Sequence, residues 1–219
     1  TWGPESKYIY VAEVNRDQNH MQLIKYDANS GKKIKILFEE KNDKWVEPEH
    51  GLYFLTHKPN EFIWMSERDG FMNLFHYDVD GKLIRQLTKN KWVTIDILGI
   101  NEKTNELYYT GTGKDPREIH AFKIELSSNS KQNQITKSEG VHRFQLSPNK
   151  RYLIDQFSSL NNPGTVIIHD LLKNITVNIH QSDNPLLNHK TGITEMITLK
   201  ADDGTDLYGR MIKPSDFDP

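Results

Sequence analysis

The amino-acid sequence predicts an all-β fold: about four four-stranded antiparallel β-propeller blades, part of a larger propeller, and then a C-terminal hairpin. Three observations carry that prediction. A strand–turn–strand unit recurs along the chain, and its anchor residues recur at blade-like intervals. No stretch carries the 3.6-residue apolar period of a long amphipathic helix.

The repeated unit is clearest when "QLIKYDANSGKKIKIL" (22–37) is set beneath "NLFHYDVDGKLIRQL" (73–87). Leu23 matches Leu74, Tyr26-Asp27 matches Tyr77-Asp78, and Gly31-Lys32 matches Gly81-Lys82. Ile34 and Leu37 then match Ile84 and Leu87, and weaker copies lie at 118–136 and 165–179. The strands ahead of these copies recur too. "WGPESKYIY" (2–10) aligns with "LSPNKRYLI" (146–154), with "NEFIW" (60–64) and "NELYY" (105–109) between them. Tyr8, Phe62, Leu107 and Tyr152 are therefore expected to be equivalent, at intervals of 54, 45 and 45 residues. Intervals of this size suit blades of four short strands.

The elements follow in order. Blades are expected near 1–40, 50–90, 95–137 and 141–182, within a propeller segment 1–190; the first reads as lacking the start of its innermost strand. In "WMSERDGFMNLFHYDVDG" (64–81), Asp69-Gly70 and Asp80-Gly81 supply the positive φ of tight turns, between runs that suit a pleated surface. Phe71, Phe75 and Tyr77 point one way and Met72 and Leu74 the other, so this strand should be buried on both faces, between two neighbouring blades. Asn29-Ser30-Gly31, Asn129-Ser130 and Asn161-Asn162-Pro163-Gly164 read as further turns. After His189 the repeat stops. Residues 191–219 read as a linker and a hairpin, with strands near 195–200 and 206–213 joined by Asp202-Asp203-Gly204, and as the opening of a second domain.

Composition excludes several functions. With 28 basic and 30 acidic residues the net charge is −2, which gives no electrostatic footprint for nucleic acid. The chain has no cysteine, so disulfides and thiolate metal sites are out, and no apolar run reaches membrane-spanning length. Gly111-Thr112-Gly113-Lys114 lacks the flanking residues of a phosphate loop, and Asp78-Val79-Asp80-Gly81 has Lys89 where a calcium loop needs glutamate. His50 and His57 lie seven apart in an apparent strand region, on opposite faces, so neither a metal nor a cofactor is expected.

Blade repeats followed by "TLKADDGTDLYGRMIKPSDFDP" resemble the prolyl oligopeptidase clan of serine peptidases, and most closely the dipeptidyl peptidase IV family. "IWMSERDGFMNLFHYD" (63–78) and "KWVEPEHGLYFL" (44–55) resemble that family's later blades. The resemblance implies a propeller that gates a following α/β-hydrolase domain, and release of N-terminal Xaa-Pro or Xaa-Ala dipeptides from peptide substrates. It also implies a periplasmic, extracellular or cell-surface location and is compatible with a homodimer.

The implied Ser-Asp-His triad needs a G-x-S-x-G elbow, which no serine here occupies; it is expected beyond Pro219, so no catalytic residue is assigned. Glu39-Glu40 is the only adjacent glutamate pair, but lacks the context of the family's ammonium-binding pair and reads as a solvated turn. Ser66-Glu67-Arg68-Asp69 reads as a solvent-exposed blade corner. Within the resemblance, the loop bearing Trp45, Val46 and Glu47 falls near a segment bordering the active-site cavity. Trp45 and Glu47 are the candidate substrate-binding residues; the other use of such a tryptophan is to cover a blade edge. The alternative function is a stand-alone propeller that binds proteins or peptides, against which the terminal hairpin argues.

Overall fold

The computed structural model describes residues 1–127 and 131–218. The expected Asn129-Ser130 turn and Pro219 lie outside the described residues. The chain forms two compact units, Thr1–Pro116 with His120–Lys137, and Arg117–Ile119 with Ser138–Pro219. Among the described residues the only helical element is a 3₁₀ turn at Pro4–Ser6.

The first unit holds three antiparallel sheets. The first is the three-stranded β1 (Tyr8–Val14), β2 (His20–Asp27), β3 (Lys33–Lys41). The second is β4 (Tyr53–Leu55), β5 (Lys58–Ser66), β6 (Asn73–Asp78), β7 (Leu83–Gln86). The third is β8 (Thr94–Asn101), β9 (Glu106–Gly111), β10 (His120–Glu125), β11 (Asn133–Gln134). Each strand pairs with its sequence neighbour, the meander of a propeller blade.

The middle sheet shows why its sequence is apolar on both faces. Met72 and Leu74 join Leu55, Ile63 and Met65 in a core completed from the third sheet by Ile100, Leu107, Tyr109 and Phe122. Phe75 and Tyr77, on the opposite face, join Phe62 and Trp64 in a core completed from the first sheet by Tyr10, Met21, Leu23 and Leu37. An aromatic stack crosses the second junction, with Tyr77 between Phe38 at 4.5 Å and Phe62 at 5.6 Å.

The turns reuse one device. Asp27 Oδ1 accepts from the Asn29 and Ser30 amides, and Asp78 Oδ1 from those of Asp80 and Lys82. These aspartates end β2 and β6, satisfying amides that the ladder leaves free. Gly81 has φ +87°, and a Cβ there would strike the Leu37 carbonyl, so glycine is required twice over.

The second unit contains β12 (Val141–Leu146), β13 (Tyr152–Ser159), β14 (Asn162–Asp170) and β15 (Ile175–Gln181) in one sheet, and the separate hairpin of β16 (Ile193–Lys200) and β17 (Asp206–Lys213). Its buried face carries Leu153, Phe157 and a charged cluster. His142 Nδ1 lies 2.8 Å from Asp155 Oδ1, and His169 Nε2 lies 3.3 Å from Asp155 Oδ2. Burial works to raise the Asp155 carboxyl, but the hydrogen bonds from both imidazoles prevail and hold it below the usual carboxylate range.

Three expectations need correction. Phe62 and Leu107 face Tyr77 and Ile124, but Tyr8 and Tyr152 face Asp27 and Asp170. The true equivalents are Ile9 and Leu153, opposite Tyr26 and His169; the similar tyrosines next door pulled the alignment one residue off. Asp69-Gly70 is not a two-residue hairpin turn. It lies in a loop of residues 67–72, in which Phe71 and Met72 precede β6. Asn162-Pro163-Gly164 belongs to β14, not to a turn. The proline is tolerated where the pairing shifts register between Phe157 and Ser159.

Candidate functional site

A cleft lies in the first unit, between the loop that leaves β3 and the loop that joins β5 to β6. It holds about 170 Å³, and Glu40, Trp45, Glu47, Trp64, Glu67 and Arg68 are among its lining residues. Antiparallel pairing puts both loops at one end of the middle sheet, because the start of β4 and the start of β6 both lie beside the end of β5.

The floor is a hydrogen-bonded cluster around Glu40. Phe38 and Glu40 share a face of β3, opposite the fully buried Leu23 and Met21 of β2. Phe38 meets the Trp64 ring at 5.7 Å, and Glu40, one step further along, meets its nitrogen. Glu40 Oε1 accepts from Trp64 Nε1 at 2.7 Å and Arg68 Nη2 at 2.5 Å, while Oε2 accepts from Ser66 Oγ at 2.8 Å. The Glu40 side chain is 9% exposed, so Glu40 is no part of a solvated turn; it is the acceptor that ties two sheets together.

Arg68 is held from several sides. Its Nε donates to Ser66 Oγ at 3.0 Å and its Nη1 to the Tyr77 hydroxyl at 2.5 Å, and Cζ sits 4.3 Å from the centre of the Phe75 ring. Ser66 is buried at 3% exposure, so the supposed solvent-exposed corner is half interior. The rest of the loop is anchored by Asn73, which donates to Asp69 Oδ1, the Phe71 carbonyl and the Asn90 carbonyl. Burial raises the Tyr77 hydroxyl against the opposing pull of Arg68, leaving it a neutral partner for the guanidinium.

The structure brings the two candidate residues together on the facing wall. Trp45 is 57% exposed, with its ring on the cleft, and Glu47 is exposed beside it. The wall is pinned at its base by the Val46 amide, which donates to the Gln18 carbonyl at 2.6 Å, and by the Asn42 amide on the Asn19 carbonyl. Glu67 completes an acidic rim: its carboxyl is raised by burial first and then by the charges of Glu49 and Glu47. Sequence reasoning missed Glu40, Ser66 and Arg68. The signal available was the alternation that runs from Phe38 to Glu40 and turns the second glutamate inward.

Among the described residues no group of three or more His, Cys, Asp or Glu could hold a metal ion. No helix among them is long and apolar enough to cross a membrane.

The family model of the dipeptidyl peptidase IV N-terminal region matches residues 1–164. The chain belongs to this family. Mouse dipeptidyl peptidase 8 is 23% identical in an alignment that covers 100% of this chain and 31% of that protein. Dipeptidyl peptidase 4 of Trichophyton tonsurans is 21% identical over 94% of this chain and 27% of its own length. The crystal structure of a putative dipeptidyl aminopeptidase IV from Bacteroides ovatus is 32% identical. It superposes with a TM-score of 0.91 over 100% of this chain and 34% of that one. Porphyromonas gingivalis dipeptidyl peptidase 4, at 21% identity and a TM-score of 0.81, shares the fold over 99% of this chain and 31% of its own. The chain thus spans about a third of these relatives, and its three- and four-stranded sheets are propeller blades of a dipeptidyl-peptidase-IV-like N-terminal region.

Proposed function

We propose that this chain is the substrate-gating propeller part of a serine peptidase that releases Xaa-Pro or Xaa-Ala dipeptides from peptide N-termini. The observation that carries this is the superposition, over the whole chain, on a putative dipeptidyl aminopeptidase IV at 32% identity. In this proposal residues 1–190 are propeller blades, and the hairpin in 191–219 leads into an α/β-hydrolase domain that bears the Ser-Asp-His triad. The propeller's task is exclusion: only short or unfolded chains reach the serine. Trp45 packs on a substrate side chain and Glu47 shapes the field at the cavity wall. A periplasmic, extracellular or cell-surface location and a homodimer belong to the same proposal.

The test is hydrolysis of a Gly-Pro chromogenic amide by the full-length polypeptide, extended past residue 219, with this segment alone as control. Turnover by the full-length protein only, abolished by a serine-directed phosphonate, is expected. No turnover by a folded full-length protein rejects the peptidase and leaves the peptide-binding propeller. In the active enzyme Trp45→Ala is expected to raise KM several-fold with little change in kcat, the pattern of lost uniform binding.

A further inference from the structure

Arg68 reaches the cleft with donors left over. A guanidinium carries five N–H groups in a rigid fork. Nε–H goes to Ser66, one Nη1–H to Tyr77 and one Nη2–H to Glu40. One N–H on each terminal nitrogen therefore has no acceptor among the described residues, while the side chain lines the cleft at 28% exposure. The plane of the fork is fixed by the Phe75 face beneath it and by three hydrogen bonds at its edges. A group positioned this firmly can select a ligand, because little rotamer freedom is lost when the ligand binds.

Charge decides what kind of acceptor fits. Glu40 already balances the guanidinium, and the other charges of the lining pair off as well: Lys41, Lys44 and Glu47 come from the end of β3 and the loop that leaves it, and Glu67 stands beside Arg68 on its own wall. A free anion would meet a guanidinium that is already neutralised, in a cleft whose lining carries no net positive charge. A neutral acceptor with a strong dipole has no such penalty, and a peptide carbonyl is that acceptor. The exposed Trp45 ring on the same cleft supplies an apolar surface for the side chain next to it.

We propose that Arg68 is a substrate-binding, specificity-determining residue whose two unused guanidinium N–H groups hold a backbone carbonyl oxygen of a peptide lying in the Trp45–Glu47 cleft. The inference rests on the peptidase reading above and adds to it a polar contact from the second wall. Arg68→Lys keeps the charge but loses the fork; Arg68→Met keeps much of the volume and loses every donor.

The experiment measures kcat and KM of the full-length polypeptide, its Arg68→Lys and Arg68→Met variants, on a Gly-Pro chromogenic amide and on a hexapeptide beginning Gly-Pro. Thermal melting reports folding for each protein. Loss of a hydrogen bond to a charged donor is expected to raise KM about tenfold in Arg68→Met on at least one substrate, with kcat within about twofold. Arg68→Lys is expected to fall between. Unchanged KM on both substrates in folded Arg68→Met, or a fall in kcat alone, overturns the proposal and makes Arg68 purely structural. If Arg68→Met does not fold, unchanged KM in Arg68→Lys overturns it. If the wild-type protein turns over neither substrate, the peptidase reading has failed, and calorimetric titration of the hexapeptide decides the Arg68 contact. Binding weakened in the folded variant supports the contact; absent or unweakened binding overturns it.

Discussion

The strand pair β5–β6 and the strand pair β16–β17 are built on the same local plan and end in opposite environments. Both are antiparallel and in unbroken register, and both carry several large apolar residues on each strand. In β5, Phe62, Ile63 and Trp64 are 0%, 0% and 1% exposed. In β16 and β17, Ile193, Leu199 and Ile212 are 55%, 58% and 61% exposed. The difference lies in what covers the two faces. The middle sheet receives one apolar core from the first sheet and another from the third, whereas among the described residues neither of these cores includes a hairpin residue. A two-stranded ribbon gains its stability from such coverage, not from its own ladder.

That contrast is broken most forcefully at Trp64. Trp64→Ala removes a fully buried indole from the junction of the first two sheets and leaves Glu40 Oε1 one donor short. The expected loss is about 4 kcal/mol, the middle of the range for aromatic truncation in a core. Urea unfolding should show the loss as a lower midpoint at constant slope. A cost under about 1 kcal/mol would mean that the first unit does not rely on this junction.

The same junction shows what the sequence could tell. Burial of β6 on both faces was legible because a strand alternates strictly. In "FMNLFHY" the apolar residues at odd and even positions can only be satisfied by two different neighbours. The turns at Asp27 and Asp78 were legible too, since Asp and Gly do local chemistry, whereas Asp69-Gly70 fell in a longer loop. The fates of Glu40 and Arg68 were not. Two adjacent glutamates normally mean solvent, and Ser-Glu-Arg-Asp normally means a turn. What overrides both tendencies is tertiary: Trp64 and Arg68 of the second sheet converge on a carboxylate at the end of the first. The one-residue slip at Tyr8 and Tyr152 has a related cause, because side-chain identity does not report register where neighbouring residues are similar.

A smaller effect separates the charged interior of the second unit from its exposed hairpin. Asp155 is 1% exposed and lies against His142 of β12 and His169 of β14; His142 also approaches the Ser138 carbonyl with Nε2 at 2.9 Å. Its carboxyl is depressed in the folded state, so its stabilisation is complete above the unfolded value near 3.8 and is lost as pH falls through the lower folded value. Asp155→Asn keeps the shape and removes the charge. It is expected to cost about 2 kcal/mol at neutral pH, the scale of hydrogen bonds to a charged partner. The difference in melting temperature from wild type should narrow below pH 3.8. A difference that stays constant down through that range would mean the pair contributes by shape and not by charge.

The smallest effect is predicted where the same aliphatic chemistry has no cover. Ile212→Ala removes as many methyl and methylene groups as an isoleucine truncation in a core would, but from a side chain 61% exposed in β17. Only the buried fraction can contribute, so the expected change in stability of this chain is within about 0.5 kcal/mol. The comparison sharpens when the substitution is repeated in the full-length polypeptide. If the hairpin docks against a following domain there, as the proposed architecture requires, Ile212→Ala should cost about 2 kcal/mol or more in that setting. Equal, near-zero costs in both proteins would place Ile212 in solvent in the parent as well, and the hairpin's apolar face would then not be what joins the propeller to the domain beyond it.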